Sequence, residues 1–136
     1  MKLLGISSIF VPSVIIPMIL YFRNYSLLIT AIPVSITSIV YHNHIYIPYI
    51  NFENIRKIDY FMAHIAYTHL VIIPIYYNNI IVLLYQIPGI VFFKLSMFFY
   101  LNNHIIISTY FHLCLHLYII YGVYNVNILL NTIQSI

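Results

Sequence analysis

The chain has 136 residues, of which 63% are hydrophobic and 5% charged. Five Lys/Arg and two Asp/Glu cannot cover a water-soluble globule, in which about a quarter of residues carry charge, and so apolar a chain is not disordered. A single cysteine excludes a disulfide framework, and a small, scattered charge of +3 offers no basic patch for nucleic acid.

A helix needs about 20 apolar residues to cross a bilayer. The sequence predicts five such spans, at 3–22, 27–46, 58–77, 80–101 and 104–124. The expectation is an all-α, multi-pass integral membrane protein, folded as one bundle domain over residues 1–136. Lys2 precedes the first span, and Arg23-Asn24 ends it. No small-residue cleavage site follows, so this run reads as an uncleaved helix. The segment Asn51-Phe52-Glu53-Asn54-Ile55-Arg56-Lys57 separates the second and third spans. Asn78-Asn79 and Asn102-Asn103 punctuate the later ones, because amides are costly in hydrocarbon. Pro88-Gly89 predicts a kink in the fourth span, or its division into two segments. The tail from Asn125 reads as interfacial. Lys94, mid-span, reads as facing protein or a cavity. Short turns make neighbouring spans antiparallel, so Lys2, Arg56 and Lys57 share one side, which the positive-inside rule makes cytoplasmic.

Ionisable groups inside spans are functional candidates. Ser38 and His42 are four residues apart, as are His112 and His116, and residues at that spacing share a helical face. Two histidines on one face can hold a metal ion together. Topology then joins these groups. The second span ends, and the third and fifth begin, on the same side. His42 stands near the first of these ends, and Asp59 opens the third span. His112 lies about 12 Å into the fifth at 1.5 Å per residue. All five polar groups can therefore meet in one layer. Three neutral imidazoles form the protein ligand set of a catalytic zinc, which lowers the pKa of bound water towards ~7. Asp59 is the candidate general base or the partner of a ligand imidazole, and Ser38 the candidate oxyanion donor.

Ser-x3-His at the end of one span, Asp at the start of the next and His-x3-His in the last resemble the CREST superfamily. That group contains alkaline ceramidases, progestin and adiponectin receptors and GPI-anchor lipid-remodelling proteins. The resemblance covers residues 38–59 and 112–116. It implies a seven-helix bundle with an intramembrane zinc on His42, His112 and His116, completed by Ser38 and Asp59. The implied activity is hydrolysis of amide or ester bonds in membrane lipids. Five spans make this chain a shortened relative, open on one flank, and a homo-oligomer or a larger membrane complex would close that flank.

Bland readings stand beside these. His44 and His104 fit structural positions at span ends, while His64 and His69, five apart, read as interhelical hydrogen-bonders. Arg56 and Lys57 read as interfacial anchors, with lipid-headgroup steering as the sharper alternative. The competing function is a non-enzymatic subunit of an organellar respiratory or ATP-synthase complex, with histidines bound to haem or purely structural. Only three glycines count against a haem pocket, which favours small residues beside its ligands.

Overall fold

The computed structural model describes residues 2–135. Its helices are α1 (Lys2–Tyr21), α2 (Leu28–His42), α3 (Phe52–Tyr76), α4 (Ile80–Leu84), α5 (Ile87–Leu101) and α6 (Ile105–Gln134), with one 3₁₀ turn at Tyr25–Leu27. No strand occurs among the described residues. Five units are long and apolar enough to cross a membrane: Leu3–Tyr21, Tyr25–His42, Phe52–Tyr76, Ile80–Leu101 and Ile105–Gln134.

The asparagine pairs act through backbone geometry. Asn78 and Asn103 adopt left-handed φ values of 53° and 60°, a conformation that Asn tolerates better than most residues. The turn this creates lets the next residue reach back to the helix it leaves. Asn79 N–H donates to the Pro74 carbonyl at 2.8 Å, and His104 N–H to the Phe99 carbonyl at 2.9 Å. Carbonyls left open by α3 and α5 are thereby satisfied. Asn79 then caps α4 by accepting from Val82 N–H at 3.0 Å, and Asn51 caps α3 through Asn54 N–H at 2.8 Å.

α1 packs between α2 and α6, α3 lies on α2, and α5 lies on α6. The arc closes loosely where Phe93 of α5 meets Tyr60 and His64 of α3, at ring-centroid distances of 5.4 and 5.1 Å. Packing is uneven along the bundle. The solid core, which includes Ile15, Ile19, Leu27, Leu70, Ile73, Val123 and Val126, lies towards the ends of α1 and α3 and in the second half of α6. The opposite end, where α2 finishes and α3 begins, is hollow.

Of the two expectations for the fourth span, its division into two segments is the one observed, and the readings of the tail and of Lys94 are revised. The fourth apolar run is interrupted at Tyr85 and Gln86, with Pro88 in the first turn of α5, where its missing N–H costs no helical bond. The Tyr67 hydroxyl donates to the Gln86 carbonyl and the Tyr118 hydroxyl to the Tyr85 carbonyl, so the break is satisfied from α3 and α6. The Gln86 side chain lies against Gly122, where a Cβ would stand 2.7 Å from Gln86 Oε1. The tail from Asn125 belongs to the last helix and packs back on the bundle. α6 runs on to Gln134, and Asn127 is fully buried. Its amide oxygen accepts from Asn24 Nδ2 at 2.8 Å, and Gln134 Nε2 donates to Asn24 Oδ1 at 3.3 Å. These partners make burial of a polar tail tolerable. Lys94, finally, is exposed on α5 and does not line the cavity that holds the histidines. Asn127→Ala is expected to lower stability by about 1 kcal/mol by removing the shorter of the two bonds from the buried Asn24 amide, which keeps only the Asn127 backbone carbonyl, read as an earlier unfolding midpoint of detergent-solubilised protein.

Candidate metal centre

His42 closes α2, and the chain just beyond it is tied to α1. Asn43 Nδ2 donates to the Ser8 hydroxyl at 3.2 Å and to the Gly5 carbonyl at 3.3 Å. Gly5 permits this approach, because a Cβ there would stand 2.6 Å from Asn43 Oδ1. His112 and His116 occupy one face of α6, one turn apart, with ring centroids 4.7 Å from each other. The His42 ring lies 5.0 Å from that of His112 and 5.7 Å from that of His116. One nitrogen from each of the three falls within 4.8 Å of the others. A tetrahedral ion with Zn–N of about 2.1 Å sets its ligands roughly 3.4 Å apart. Closure therefore takes side-chain rotation on the order of an ångström.

The hydrogen bonds around the rings leave the right nitrogens free. Ser7 of α1 donates its hydroxyl proton to the Leu4 carbonyl at 3.0 Å. Its oxygen, 2.7 Å from His116 Nδ1, then accepts from the imidazole. With the serine proton on the Leu4 carbonyl, the matching tautomer carries its proton on Nδ1 and a lone pair on Nε2. Ser96 of α5 repeats the arrangement for His112. Its hydroxyl lies 3.2 Å from the Ser108 carbonyl and, at the long limit of a hydrogen bond, 3.5 Å from His112 Nδ1. His42 Nε2 is buried with no partner among the described residues. A buried nitrogen without a partner is costly, and a metal ion supplies one. Three imidazoles with available nitrogens, two of them held by hydroxyls, fit a transition metal ion.

Ser7 and Ser96 carried no signal in the sequence. Serines are common in apolar helices, and Ser7 reaches a ring 109 residues away. Ser7→Ala is expected to weaken binding of an added transition metal ion by about 10–100-fold, the usual cost of losing an outer partner of a ligand. Competition against a chelator of known affinity measures it, and Ser7→Thr, which keeps the hydroxyl, should restore most of the loss.

Asp59 and Ser38 line the same cavity as the three histidines. Asp59 Oδ1 accepts from the Thr37 hydroxyl at 3.2 Å, so its partner here is a threonine and not a ligand imidazole. Ser35 bonds back to the preceding turn of α2 at 2.6 Å, and the one proton of the Thr37 hydroxyl is shared between Asp59 Oδ1 and the Val34 carbonyl, 3.1 Å away. Ser38 forms no such bond among the described residues and keeps its hydroxyl free. The other histidines lie apart from the cluster. His69 Nδ1 is 3.0 Å from the Thr30 hydroxyl across the α2–α3 interface, and His64 Nδ1 is 2.8 Å from its own helix's Tyr60 carbonyl. His44 stacks on Phe52 at 4.7 Å, and His104 precedes α6 beside Phe99.

The cavity has a volume of about 690 Å³. Below the histidine layer its wall is almost wholly apolar, and the core residues Ile19, Leu27, Leu70 and Val123 form its floor. From His116 to Val123 along α6 is about 10 Å, and from His112 about 16 Å. The latter is close to the half-thickness of a ~30 Å hydrocarbon core. The arrangement sets a polar layer, whose three histidines could hold a metal ion, above an apolar slot. In comparisons with known proteins, no family model, no curated relative and no solved structure matches the chain.

Proposed function

We propose that this chain is a multi-pass integral membrane, zinc-dependent hydrolase of lipid amide or ester bonds, built as a shortened member of the CREST superfamily. The observation that carries this reading is the convergence of His42, His112 and His116 within 4.8 Å at the head of an apolar cavity that Asp59 and Ser38 also line. Membrane embedding is supported by the outer surface. Large apolar side chains such as Ile29, Ile106 and Leu117 are 75%, 87% and 62% exposed, and they recur around all five long helical units. An apolar surface of that extent belongs against lipid.

A bound zinc supplies a Lewis acid and lowers the pKa of water at a fourth position. The chain's own residues supply the rest. The apolar slot takes the acyl chain and excludes bulk water. Asp59 accepts the proton of the attacking water and later returns it to the leaving amine or alcohol. The water oxygen bonds to the acyl carbon, the C–N or C–O bond breaks, and a fatty acid is released. Ser38, whose hydroxyl is uncommitted, donates to the oxyanion that develops on the acyl oxygen.

The test is release of fatty acid from ceramide and phospholipid panels by zinc-loaded protein in detergent. Ser38→Ala is expected to retain turnover reduced by ~10²–10³, the effect of losing one oxyanion donor. No release from any lipid by zinc-loaded protein would overturn the reading in favour of a receptor-like or structural role.

A further inference from the structure

We propose that Arg56 and Lys57 form a subsite for an anionic phosphate headgroup at the rim of the cavity, so that the preferred lipid is an acyl ester bearing a phosphate near the scissile carbonyl. The position of that carbonyl rests on the hydrolase reading of the histidine centre. Both cations line the cavity that holds the histidines. Arg56 and Asp59 are three residues apart on α3, on the face that also carries Ala63, so Arg56 stands about one turn, roughly 4.5 Å, above Asp59 along the axis. A carbonyl at the Asp59 layer therefore puts a glycerol-linked phosphate beside Arg56.

The rim is organised for an anion. Glu53 accepts from Arg56 Nε at 2.9 Å and from Arg56 Nη2 at 2.7 Å, and lies 4.0 Å from Lys57 Nζ. The carboxylate thus holds Arg56, while Lys57, 68% exposed, lies at the outer limit of an ion pair, and these three side chains sum to +1. Two of the five guanidinium donors are used, and the others remain for phosphate oxygens. Tyr41 from α2 and Tyr100 from α5 bring phenolic hydroxyls to the same rim. A neutral head, such as that of ceramide, leaves this positive charge unused.

The full chain in detergent is titrated with 1-oleoyl lysophosphatidate and with 1-monooleoylglycerol, which share the acyl ester and differ in the phosphate. Lysophosphatidate is expected to bind about tenfold tighter, the scale of one charge-assisted hydrogen bond. Arg56→Gln combined with Lys57→Gln should bring it down to the affinity of the neutral lipid, while zinc content stays near one per chain and shows the variant folded. His116→Ala, without metal or turnover, should keep the preference. Headgroup recognition is thereby scored apart from hydrolysis, and an inactive wild type that still prefers lysophosphatidate sinks only the hydrolase reading. Inorganic phosphate at the same concentrations should fail to displace the lipid. Displacement by phosphate alone, equal affinity for the two lipids, or a preference that survives the double variant overturns the proposal.

Discussion

His116→Ala is expected to lose its metal and its hydrolysis together. His116 is 7% exposed, its Nδ1 is held by Ser7 at 2.7 Å, and its ring lies within 6 Å of both other histidines. Removal leaves two imidazoles and a void where the third stood. Loss of an outer hydrogen-bond partner weakens a metal site by about 10–100-fold, so loss of a ligand should exceed the upper end of that range. Zinc content after gel filtration in detergent reads the first half of the prediction, and fatty-acid release the second. His69→Ala is the control. Its ring bonds Thr30 at the α2–α3 interface and lies outside the cluster, so zinc should stay bound. Equal zinc content and equal release in wild type and His116→Ala would remove the metal centre from the account.

Asp59→Asn should separate the two properties. Asn keeps the shape of the side chain and an oxygen to accept from the Thr37 hydroxyl, now at 3.2 Å from Asp59. The fold and the three imidazoles are therefore expected to persist, with about one zinc per chain. What is lost is the group that takes a proton from water, and a positioned general base is worth about 10²–10⁴ in rate. A drop of that size at unchanged zinc content assigns Asp59 to proton transfer. Zinc loss that parallels the drop in rate would instead make Asp59 a residue that holds the centre together.

The histidine cluster was legible because two regularities point to it. The i, i+4 spacing of His112 and His116 fixes a common face whatever surrounds the helix. Counting apolar runs fixes the side of the bundle on which His42 and the start of the last helix lie. Neither regularity reports on contacts between distant helices. Ser7 bonds the His116 ring and Ser96 lies beside that of His112, and nothing in the spacing around them marks that role. The packing of the tail was hidden for a related reason. Asn125, Asn127 and Gln134 look interfacial by composition, yet Asn127 is fully buried because Asn24 comes from the turn after α1 to meet it. Lys94 was assigned inward by a rule about cost in hydrocarbon, but a long, flexible side chain on an outer helix face can lead its charge away along the surface. The break at Tyr85 and Gln86 was half legible. Pro88 signals an interruption, whereas the Tyr67 and Tyr118 hydroxyls that make it tolerable come from other helices.

The most direct test of a three-histidine zinc centre is metal analysis of the full chain, purified in detergent without added metal and without a polyhistidine tag. The account predicts about one zinc per chain, retained by wild type and lost from His116→Ala. Metal-free wild-type protein that also fails to take up zinc on titration, or a visible absorption band from bound haem, would contradict it.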